Sequence, residues 1–388
     1  MKGWRDVTLS DISMAIDYGY TASSSNINIG PKFLRITDIA RSNIIDWNSV
    51  PFCSISQEDN EKYKLYSGDI VIARTGASTG ATYTIKDTDP KELVFASYLI
   101  RYRINPEIAD ANLVGKFLRS KNWNEYVSGV VGGSAQPGAN AKVLGAYSFL
   151  LPPLTEQRAI AAVLSSFDDK IDLLHRQNAT LEAMAEALFR QWFVVEAKED
   201  WEEKSLSDIA VFLNGLPCQK FRPQNLIERL PVLKIRELSN GILPDSEWAT
   251  STVPQEYIVR FGDVIFSWSG SLMIKIWDGD NCVLNQHLFK VKSNNYPKWF
   301  YYYWCKQHLN EFISISESKA TTMGHIKRGD LDAAIVKVPS KNEMRTMSTI
   351  IEPYLNKFIQ NKAQINALEK LRDTLLPKLM SGEVRVDF

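Results

Sequence analysis

The sequence predicts an α+β protein in which two similar, mainly β domains alternate with two long helices. One observation is a heptad pattern of apolar residues over 155–192, and a second is a related pattern over about 343–380. The third is an internal repeat that keeps its order along the chain. We therefore divide the chain into a first domain (1–150), a central helical region (151–195), a second domain (196–337) and a distal helical region (338–388).

The composition is that of an ordinary folded protein with more than one domain. The chain has 388 residues, of which 45% are hydrophobic, enough for two or three cores. Its 45 Lys and Arg balance its 45 Asp and Glu, which argues against binding nucleic acid through overall charge alone. Any role with nucleic acid therefore needs local patches or a basic partner.

Membrane, targeting and metal-binding patterns are not found in the sequence. No apolar run approaches the ~18 residues of a membrane span, and no N-terminal signal pattern occurs, so we expect a cytoplasmic protein with no membrane partner. The cysteines show neither Cys-x-x-Cys spacing nor a histidine at ligand spacing, which predicts reduced structural thiols and no metal site. They are Cys53, Cys218, Cys282 and Cys305.

The pattern over 155–192 is typical of a coiled-coil seam rather than of a helix that lies on one domain. About 38 residues would form a helix of roughly 57 Å, which is longer than a small domain is wide. Pro152 and Pro153 predict a stiff connector before it, with Thr155 as the N-cap. Asn178 is the one polar seam residue, of the kind that fixes register. The predicted seam is Ile160, Leu164, Phe167, Ile171, Leu174, Asn178, Leu181, Ala185, Leu188 and Trp192.

The distal helix repeats this pattern, with Glu343 in the place of Glu156. Arg372 is its one charged seam position, and Pro353 predicts a break or kink. Because one chain contains both helices, we expect them to pair with each other, so that the coil closes within one molecule. The predicted distal seam is Met347, Ile351, Tyr354, Phe358, Asn361, Ile365, Leu368, Leu375 and Leu379.

The internal repeat covers both globular regions. The matched segments, in unchanged order, are 4–12 with 201–209, 67–72 with 261–266, and 96–99 with 285–288. Each copy is therefore predicted to be one globular domain followed by one long helix.

Within each copy, β-branched and alternating runs such as 94–104 predict strands bounded by Gly, Asp and Asn turns. One short helix is predicted before each long helix, over 112–126 and 298–313. The aromatic run 299–304 could stack on bases, but at helical spacing it is more typical of a core.

No catalytic constellation is apparent in the sequence. The only Pro-Pro pair lies between Leu151 and Leu154, which lack the amide or carboxylate of an adenine methyltransferase box. The glycine-rich segment 74–80 lacks the Gly-Lys-Ser/Thr ending of a phosphate loop and is predicted to be a turn. Short triplets that resemble nuclease motifs, such as 168–170, fit solvated surface. The four histidines are distant from one another, so we predict a protein that is not an enzyme.

Basic and amide side chains in the turns remain as candidates for recognition. Arg can pair with guanine O6 and N7, Gln with adenine, and Lys and Thr with phosphates. The loop 319–328 is the strongest single candidate, because it combines cations, hydroxyls and Gly324. The candidate DNA contacts are Lys32, Arg35, Arg41, Arg74, Thr75, Arg101, Arg103, Gln136, Lys142, Lys220, Arg222, Lys234, Arg236, Lys275, Gln286, Lys319, Thr321, Thr322, His325, Lys327 and Arg328.

The whole chain resembles the specificity (S) subunit of type I restriction-modification systems. The resemblance rests on the junction Leu-Pro-Pro-Leu-Thr-Glu-Gln-Arg at 151–158 with its long helix, on the predicted strand 284–289, and on the twofold repeat. Departures from the family pattern are Val-Pro-Ser-Lys at 338–341, Ala-Ser-Tyr at 96–98 and Pro353. These departures put in doubt that partners dock equally on the two helices.

The resemblance implies a pseudo-twofold arrangement in which two target-recognition domains are separated by the two helices, packed as an antiparallel coiled coil. Each domain would recognise one half of a split double-stranded DNA sequence, and the helices would set the spacer. Two modification subunits would dock on the helices and supply S-adenosylmethionine and adenine methylation. Restriction subunits would add ATP- and Mg-dependent translocation and cleavage, so this chain itself would bind no cofactor. A DNA-independent coiled-coil scaffold and a metal-dependent nuclease remain alternatives.

Overall fold

The computed structural model describes residues 3–39, 45–131, 138–318 and 324–386. The chain forms two compact units, Met1–Asp172 with Leu368–Phe388, and Leu173–Ala367. Each unit therefore contains one copy of the globular repeat together with part of both long helices. The predicted α+β class is confirmed.

Two four-stranded sheets and a two-stranded ribbon form the β structure of the first unit. The strands are β1 (Arg5–Thr8), β2 (Ser13–Tyr18), β3 (Ser24–Ser25), β4 (Lys32–Leu34), β5 (Phe52–Cys53), β6 (Asp69–Ala73), β7 (Thr82–Thr84), β8 (Leu93–Phe95), β9 (Leu99–Ile104) and β10 (Ser148–Leu151). One sheet is antiparallel in the order β2-β9-β6-β7, and the other has the order β3-β5-β4-β8 with β4 and β8 parallel. In the ribbon, β1 pairs with β10 and Arg5 lies opposite Leu151.

The helices of the first globular copy pack on both four-stranded sheets. They are α1 (Ile36–Ile39), α2 (Gln57–Tyr63), α3 (Ala111–Phe117), α4 (Lys121–Val131) and α5 (Ala141–Gly145). The single helix predicted over 112–126 is wrong, because the chain turns after Phe117 and restarts with Oγ of Ser120 accepting from N of Trp123 over 3.3 Å. Trp123 and Phe117 are buried in the core between sheet and helices.

The second unit repeats the β structure. Its strands are β11 (Glu202–Ser205), β12 (Val211–Asn214), β13 (Arg229–Leu233), β14 (Trp248–Thr250), β15 (Ile258–Val259), β16 (Val264–Ser267), β17 (Met273–Ile276), β18 (Cys282–Leu284), β19 (Leu288–Lys292) and β20 (Ile335–Val338). The sheet β12-β19-β16-β17 matches β2-β9-β6-β7, and the ribbon β11-β20 matches β1-β10. In the remaining sheet, β14-β13-β18-β15, β13 and β18 are parallel, as are β4 and β8.

The second globular copy also has two helices where the sequence predicted one over 298–313. Its helices are α7 (Leu206–Ile209), α8 (Ile235–Asn240), α9 (Lys298–Gln307), α10 (Leu309–Ser318) and α11 (Arg328–Ala333), with 3₁₀ turns at Cys218–Lys220 and Gln255–Tyr257. The aromatic run 299–304 is buried, and Trp299 and Trp304 pack around Phe193. The interpretation of this run as core is confirmed.

Two segments predicted as single strands each contain a turn that joins strands of two different sheets. In the run 94–104, β8 ends at Phe95 and β9 begins at Leu99. In the run 284–289, β18 ends at Leu284 and β19 begins at Leu288. The residues between them, 96–98 and 285–287, are therefore at strand ends rather than inside strands.

The long helices are α6 (Leu154–Arg190), which continues as a π-helix over Gln191–Val195, and α12 (Lys341–Met380). Helix α6 begins one residue before the predicted N-cap Thr155, and N of Gln157 donates to O of Pro153 over 2.9 Å. The break predicted at Pro353 is wrong, because α12 is continuous there. Pro353 and Thr349 are both exposed, so water can satisfy the carbonyl that a proline leaves without its helical donor.

Side-chain pairs between α6 and α12 show that the helices are antiparallel partners within one chain. In the second unit, Nδ2 of Asn361 donates to Oδ1 of Asn178 over 3.0 Å. In the first unit, Nη1 of Arg372 and Oδ1 of Asp168 are 2.9 Å apart. Residues later in α6 thus face residues earlier in α12, which is the antiparallel order expected from the resemblance.

Both seams depart from the predicted pattern near their ends. Leu188 and Trp192 are only half-buried, whereas Phe189 and Phe193 are buried in the aromatic core of the second unit. In α12, Leu355 is buried where Tyr354 was predicted. The predicted residues Phe167, Leu181, Met347, Leu368 and Leu375 are half-buried, and the buried ones are Ile160, Leu164, Ile171, Leu174, Asn178, Ala185, Ile351, Phe358, Asn361, Ile365 and Leu379.

Cys53, Cys218, Cys282 and Cys305 are buried and free, as predicted. Burial raises the pKa of each thiol, which disfavours the reactive thiolate. Among the described residues, no helix is both long and apolar enough to cross a bilayer.

Candidate nucleic-acid interface

The junction at 151–158 fixes the start of α6 to the first globular copy. The side chain of Gln157 is buried; its Nε2 donates to O of Pro152 over 2.8 Å and to O of Ile108 over 3.1 Å. Its Oε1 accepts from N of Asp110 over 2.8 Å. One amide thus satisfies three backbone groups from the connector and the globular copy, which gives a physical reason for glutamine at this position.

Glu156, also buried, joins three separate parts of the first unit. Its Oε2 accepts from Nε1 of Trp4, at the start of the globular copy, over 3.2 Å. Nε and Nη2 of Arg385, beyond the end of α12, donate to its two oxygens over 2.8 and 2.7 Å. This bidentate pair ties the first turn of α6 to the segment that follows α12.

Glu343 makes the matching junction in the second unit. Its Oε1 accepts from Nζ of Lys198 over 2.6 Å and from Nε1 of Trp201 over 3.4 Å. The hydrogen bond from Lys198, and to a smaller extent the one from Ser340, lowers the pKa of Glu343 to about 2. Because Lys198 follows α6 and Arg385 follows α12, each unit closes its junction with a cation that follows its other long helix.

Arg101 does not fit the predicted role as a DNA contact. It is 4% exposed, and its Nη2 donates to Oδ2 of Asp17 over 2.6 Å. Its Nη1 donates to O of Lys64 over 2.9 Å. A guanidinium held inside the sheet cannot reach a base edge without losing these bonds, so Arg101 is structural.

Arg103 is also committed to a carboxylate. Its Nε and Nη2 each donate to Asp69 over 2.8 Å, and these hydrogen bonds raise the pKa of Arg103. Arg35 likewise pairs with Asp38 over 3.0 Å. The first pair joins the neighbouring strands β6 and β9, and the second lies at the start of α1. Both leave less of each guanidinium for a ligand.

Lys32 donates from Nζ to O of Val50 over 2.7 Å and lies 4.1 Å from the ring centroid of Phe52. Its charge is therefore held against the protein, and this geometry fits a local structural role better than a flexible phosphate contact.

Several cations of the second domain are paired but near the surface. Lys234 contacts Glu247 over 2.5 Å, and Arg236 contacts Glu237 and Asp245, each over 2.8 Å. Lys275, another candidate, pairs with Asp278 over 3.2 Å. The exposed pairs of Lys234 with Glu247 and of Arg236 with Asp245 contribute little to stability, so they can exchange for phosphate contacts at low cost. Glu237 is buried, so its pair with Arg236 is part of the folded core.

The other predicted contacts are either exposed or outside the described residues. Exposed candidates are Lys142, Lys220, Arg222, His325, Lys327 and Arg328. The candidates outside the described residues are Arg41, Gln136, Lys319, Thr321 and Thr322, so the loop 319–328 is described only from Gly324 onward.

A cluster that we call the first strand-end site consists of Tyr18, Arg74 and Tyr98. Nε of Arg74 donates to O of Ser97 over 3.0 Å, and its Cζ lies 5.0 Å from the ring centroid of Tyr18. Tyr18 and Tyr98 are 43% and 58% exposed. Thr75, the next candidate, forms a backbone bridge with Gly138. The site thus presents an arginine held against the ring of Tyr18, with the exposed residue Tyr98 joined to it by a backbone hydrogen bond.

The second strand-end site consists of Asn214, Trp268 and His287. Nε1 of Trp268 donates to Oδ1 of Asn214 over 3.1 Å, and the rings of Trp268 and His287 are 6.0 Å apart. Nδ1 of His287 is 3.1 Å from Oγ of Ser269. The ring of His325 lies 6.2 Å from that of Trp268. Here a half-buried indole and a half-buried imidazole take the place of the arginine and tyrosine, and His325 is exposed beside them.

The two strand-end sites share one backbone frame. N of Arg74 donates to O of Tyr98 over 3.0 Å, and N of Trp268 donates to O of His287 over 3.4 Å. The residues that follow Arg74 and Trp268 also correspond, because each forms an antiparallel β-bridge. Thr75 pairs with Gly138, and Ser269 pairs with His325.

The preceding strands end in the same way in both units. N of Gly19 donates to O of Leu99 over 3.2 Å, and N of Gly215 donates to O of Leu288 over 3.1 Å. A Cβ at either glycine would overlap a backbone carbonyl of the neighbouring turn, so only glycine permits this close approach. The backbone therefore has the same conformation around both strand-end sites.

A cavity beside the second strand-end site brings together three predicted contacts, Lys234, Arg236 and Gln286. Its volume is about 370 Å³, and Gln219, Glu247, Asn285 and His287 also line it. The predicted contacts do not include Asn285 and His287, although both lie in the run 284–289 that carries the family resemblance. Nor do they include Tyr18, Tyr98, Asn214 and Trp268, because most of the predicted contacts are cations and amides in turns.

Comparison with known proteins agrees with this architecture. The family model for the type I restriction modification DNA specificity domain matches residues 1–183 and 198–370, so it matches both copies. The chain belongs to this family, and its role is that of a specificity subunit of a type I restriction-modification system.

Individual relatives show the extent of the similarity. The type I restriction enzyme MjaIX specificity subunit of Methanocaldococcus jannaschii is 26% identical over 347 residues, which cover 82% of this chain and 76% of that protein. The putative MjaX specificity subunit of the same organism is 23% identical over 414 residues, covering 99% and 94%. The S subunit of a type I restriction-modification system from M. genitalium has the same fold, with a TM-score of 0.60 at 15% identity over 100% of this chain and 97% of that one.

Proposed function

We propose that each globular domain recognises one half of a two-part DNA sequence. The observation that carries this proposal is the pair of strand-end sites, which have one backbone frame but different side chains. A protein that bound a symmetric target would need the same chemistry in both copies. Different chemistry on the same frame suits two different half-sites, each recognised through base edges.

The long helices are proposed to hold the two domains in register and to bind the modification subunits. The outer face of a coiled coil that binds no partner is expected to be polar. Helices α6 and α12 nevertheless expose large apolar side chains, namely Leu173, Met184, Ile350 and Leu371. Exposed apolar residues on otherwise polar helices favour a protein partner. The neutral net charge also favours an assembly in which basic partners supply much of the attraction to phosphates.

The catalytic steps are assigned to those partners. Modification subunits would bind S-adenosylmethionine and methylate adenine, and restriction subunits would use ATP and Mg²⁺ for translocation and cleavage. This chain would contribute the target choice and no reacting group. It would then be a binding subunit and not an enzyme.

Co-expression of the chain with the products of its neighbouring genes, followed by mapping of methylated adenines in host DNA, tests this proposal. The expected result is one motif made of two defined half-sites separated by unspecified bases. A complex that forms but leaves DNA unmethylated and binds no sequence preferentially would support a scaffold instead. Metal-dependent cleavage by the purified chain alone would support a nuclease.

A further inference from the structure

The first strand-end site has the geometry of a preorganised guanine contact. Arg74 directly follows β6, and its Nε bond to O of Ser97 fixes one edge of the guanidinium. The ring of Tyr18 lies 5.0 Å from its Cζ, which restrains the plane of the group. Among the described residues, the two terminal nitrogens of Arg74 have no hydrogen-bond partner, so the outer edge of the fork can take a ligand.

A guanidinium whose plane is fixed and whose outer edge is free matches guanine better than it matches a phosphate. Guanine presents the O6 and N7 acceptors side by side in the major groove, and the fork of arginine meets both. Restraint by the protein lowers the conformational entropy lost on binding. The ring of Tyr18, against which the guanidinium lies, is 43% exposed and adds apolar surface that a phosphate would not use.

The second strand-end site cannot make this contact. At the position of Arg74 the second copy has Trp268, whose single donor already bonds to Asn214 over 3.1 Å. Both ring nitrogens of His287, at the position of Tyr98, have partners within the chain: Nδ1 is 3.1 Å from Oγ of Ser269, and Nε2 is 3.5 Å from Nε2 of Gln286. The same frame therefore carries a bidentate group in one domain and an aromatic surface in the other.

We propose that Arg74 is a specificity-determining residue, which selects a guanine in the half-site of the first domain. Trp268 occupies the equivalent place in the second domain and gives its half-site a different requirement. The inference rests on the proposed function, since it assigns the base contact within a half-site.

Arg74→Lys is the most informative substitution, because it keeps the charge and removes the fork. In the complex with modification subunits, binding to duplexes that vary one base at a time is expected to lose its preference for one guanine by roughly 10- to 100-fold. That guanine lies in one half-site, and the preferences in the other half-site stay as in wild type. Trp268→Ala should alter only the other half-site.

Lys142→Ala provides the matched control. Lys142 is exposed and follows Ala141, whose N donates to Oη of Tyr18 over 3.0 Å. Loss of a single phosphate contact should weaken binding to all duplexes alike and leave the preferred bases unchanged. If Lys142→Ala changed the preferred base, the specificity assigned to Arg74 would be contradicted.

A second measurement uses the wild-type complex and does not depend on the stability of any variant. Replacing each guanine of the target in turn with 7-deazaguanine removes the N7 acceptor. Binding should fall at one guanine of the first half-site, and the Arg74→Lys complex should be insensitive to that same change. Retained guanine preference in Arg74→Lys, equal loss in both half-sites, or no effect of the analogue would each overturn the inference. A wild-type complex without any two-part motif would instead overturn the proposed function.

Discussion

Two buried amides, Asn178 and Asn361, join the long helices within their apolar seam, and each should lose stability when the other is replaced. Asn178 is 6% exposed and Asn361 is fully buried, and a 3.0 Å hydrogen bond joins their side chains. Among the described residues, Oδ1 of Asn361 is buried without a hydrogen-bond partner. Nδ2 of Asn361 also donates to Oε1 of the exposed Gln177, over a longer 3.4 Å. The seam thus contains one short buried hydrogen bond and one buried acceptor that is not satisfied.

Replacing either amide with leucine removes the 3.0 Å hydrogen bond of the other, which costs about 1–3 kcal/mol. In Asn178→Leu, Asn361 keeps only its 3.4 Å contact with Gln177. Replacing both removes the polar groups from an apolar seam, which is expected to be neutral or stabilising. Asn178→Leu and Asn361→Leu should therefore each weaken the helix pair, and the double variant should regain at least wild-type stability. The expected coupling energy is at least about 2 kcal/mol.

Hydrogen exchange of the amides of α6 and α12 near the pair measures the free energy of local opening. This assay is preferable to global unfolding, because a chain with two units need not unfold in one transition. His175→Leu, at an exposed position of α6, is the control and should change the opening free energy by less than about 0.5 kcal/mol. If the two single effects simply add in the double variant, the pair does not act as described.

Three further predictions concern other parts of the molecule. Folding lowers the pKa of Glu343 to about 2. The Glu343 carboxylate therefore stabilises the fold fully above about pH 4.5, and this contribution is lost towards pH 2. The thermal unfolding temperatures of wild type and Glu343→Gln should converge as the pH falls over this range. Arg101→Met should destabilise the first unit by about 2 kcal/mol, seen as faster hydrogen exchange in β2 and β9, without changing the recognised DNA sequence. Deleting 170–176 together with 363–369 removes about 10 Å of helix and should shorten the spacer by about three base pairs, measured by adenine-methylation mapping; an unchanged spacer would show that the helices do not set it.

The outline of the fold could be predicted because it depends on patterns that are local in sequence. A heptad repeat marks one face of a helix whatever its partner, and the repeated segments mark the copies. The end of the seam is not local. Leu188 and Trp192 continue the heptad, yet Phe189 and Phe193 are the buried residues, because the aromatic core of the second unit competes for another face of α6.

The candidate site was harder to predict, because strand pairing decides which residues come together. Arg101 and Arg74 are both basic residues beside β runs, but Arg101 lies within β9 opposite Asp17, whereas Arg74 follows the end of β6. Tyr18 and Trp268 carry no charge and meet their neighbours only once the strands are paired. Aligning Gly19 with Gly215 and comparing the adjoining residues would have drawn attention to both sites.

The two domains, which share one backbone frame, should recognise their half-sites independently. Exchanging residues 4–150 for the corresponding domain of a related specificity subunit, followed by adenine-methylation mapping of the complex, separates their contributions. One half-site is expected to change, while the other half-site and the spacer stay the same. A change in both half-sites, or in neither, would show that the domains do not recognise DNA independently.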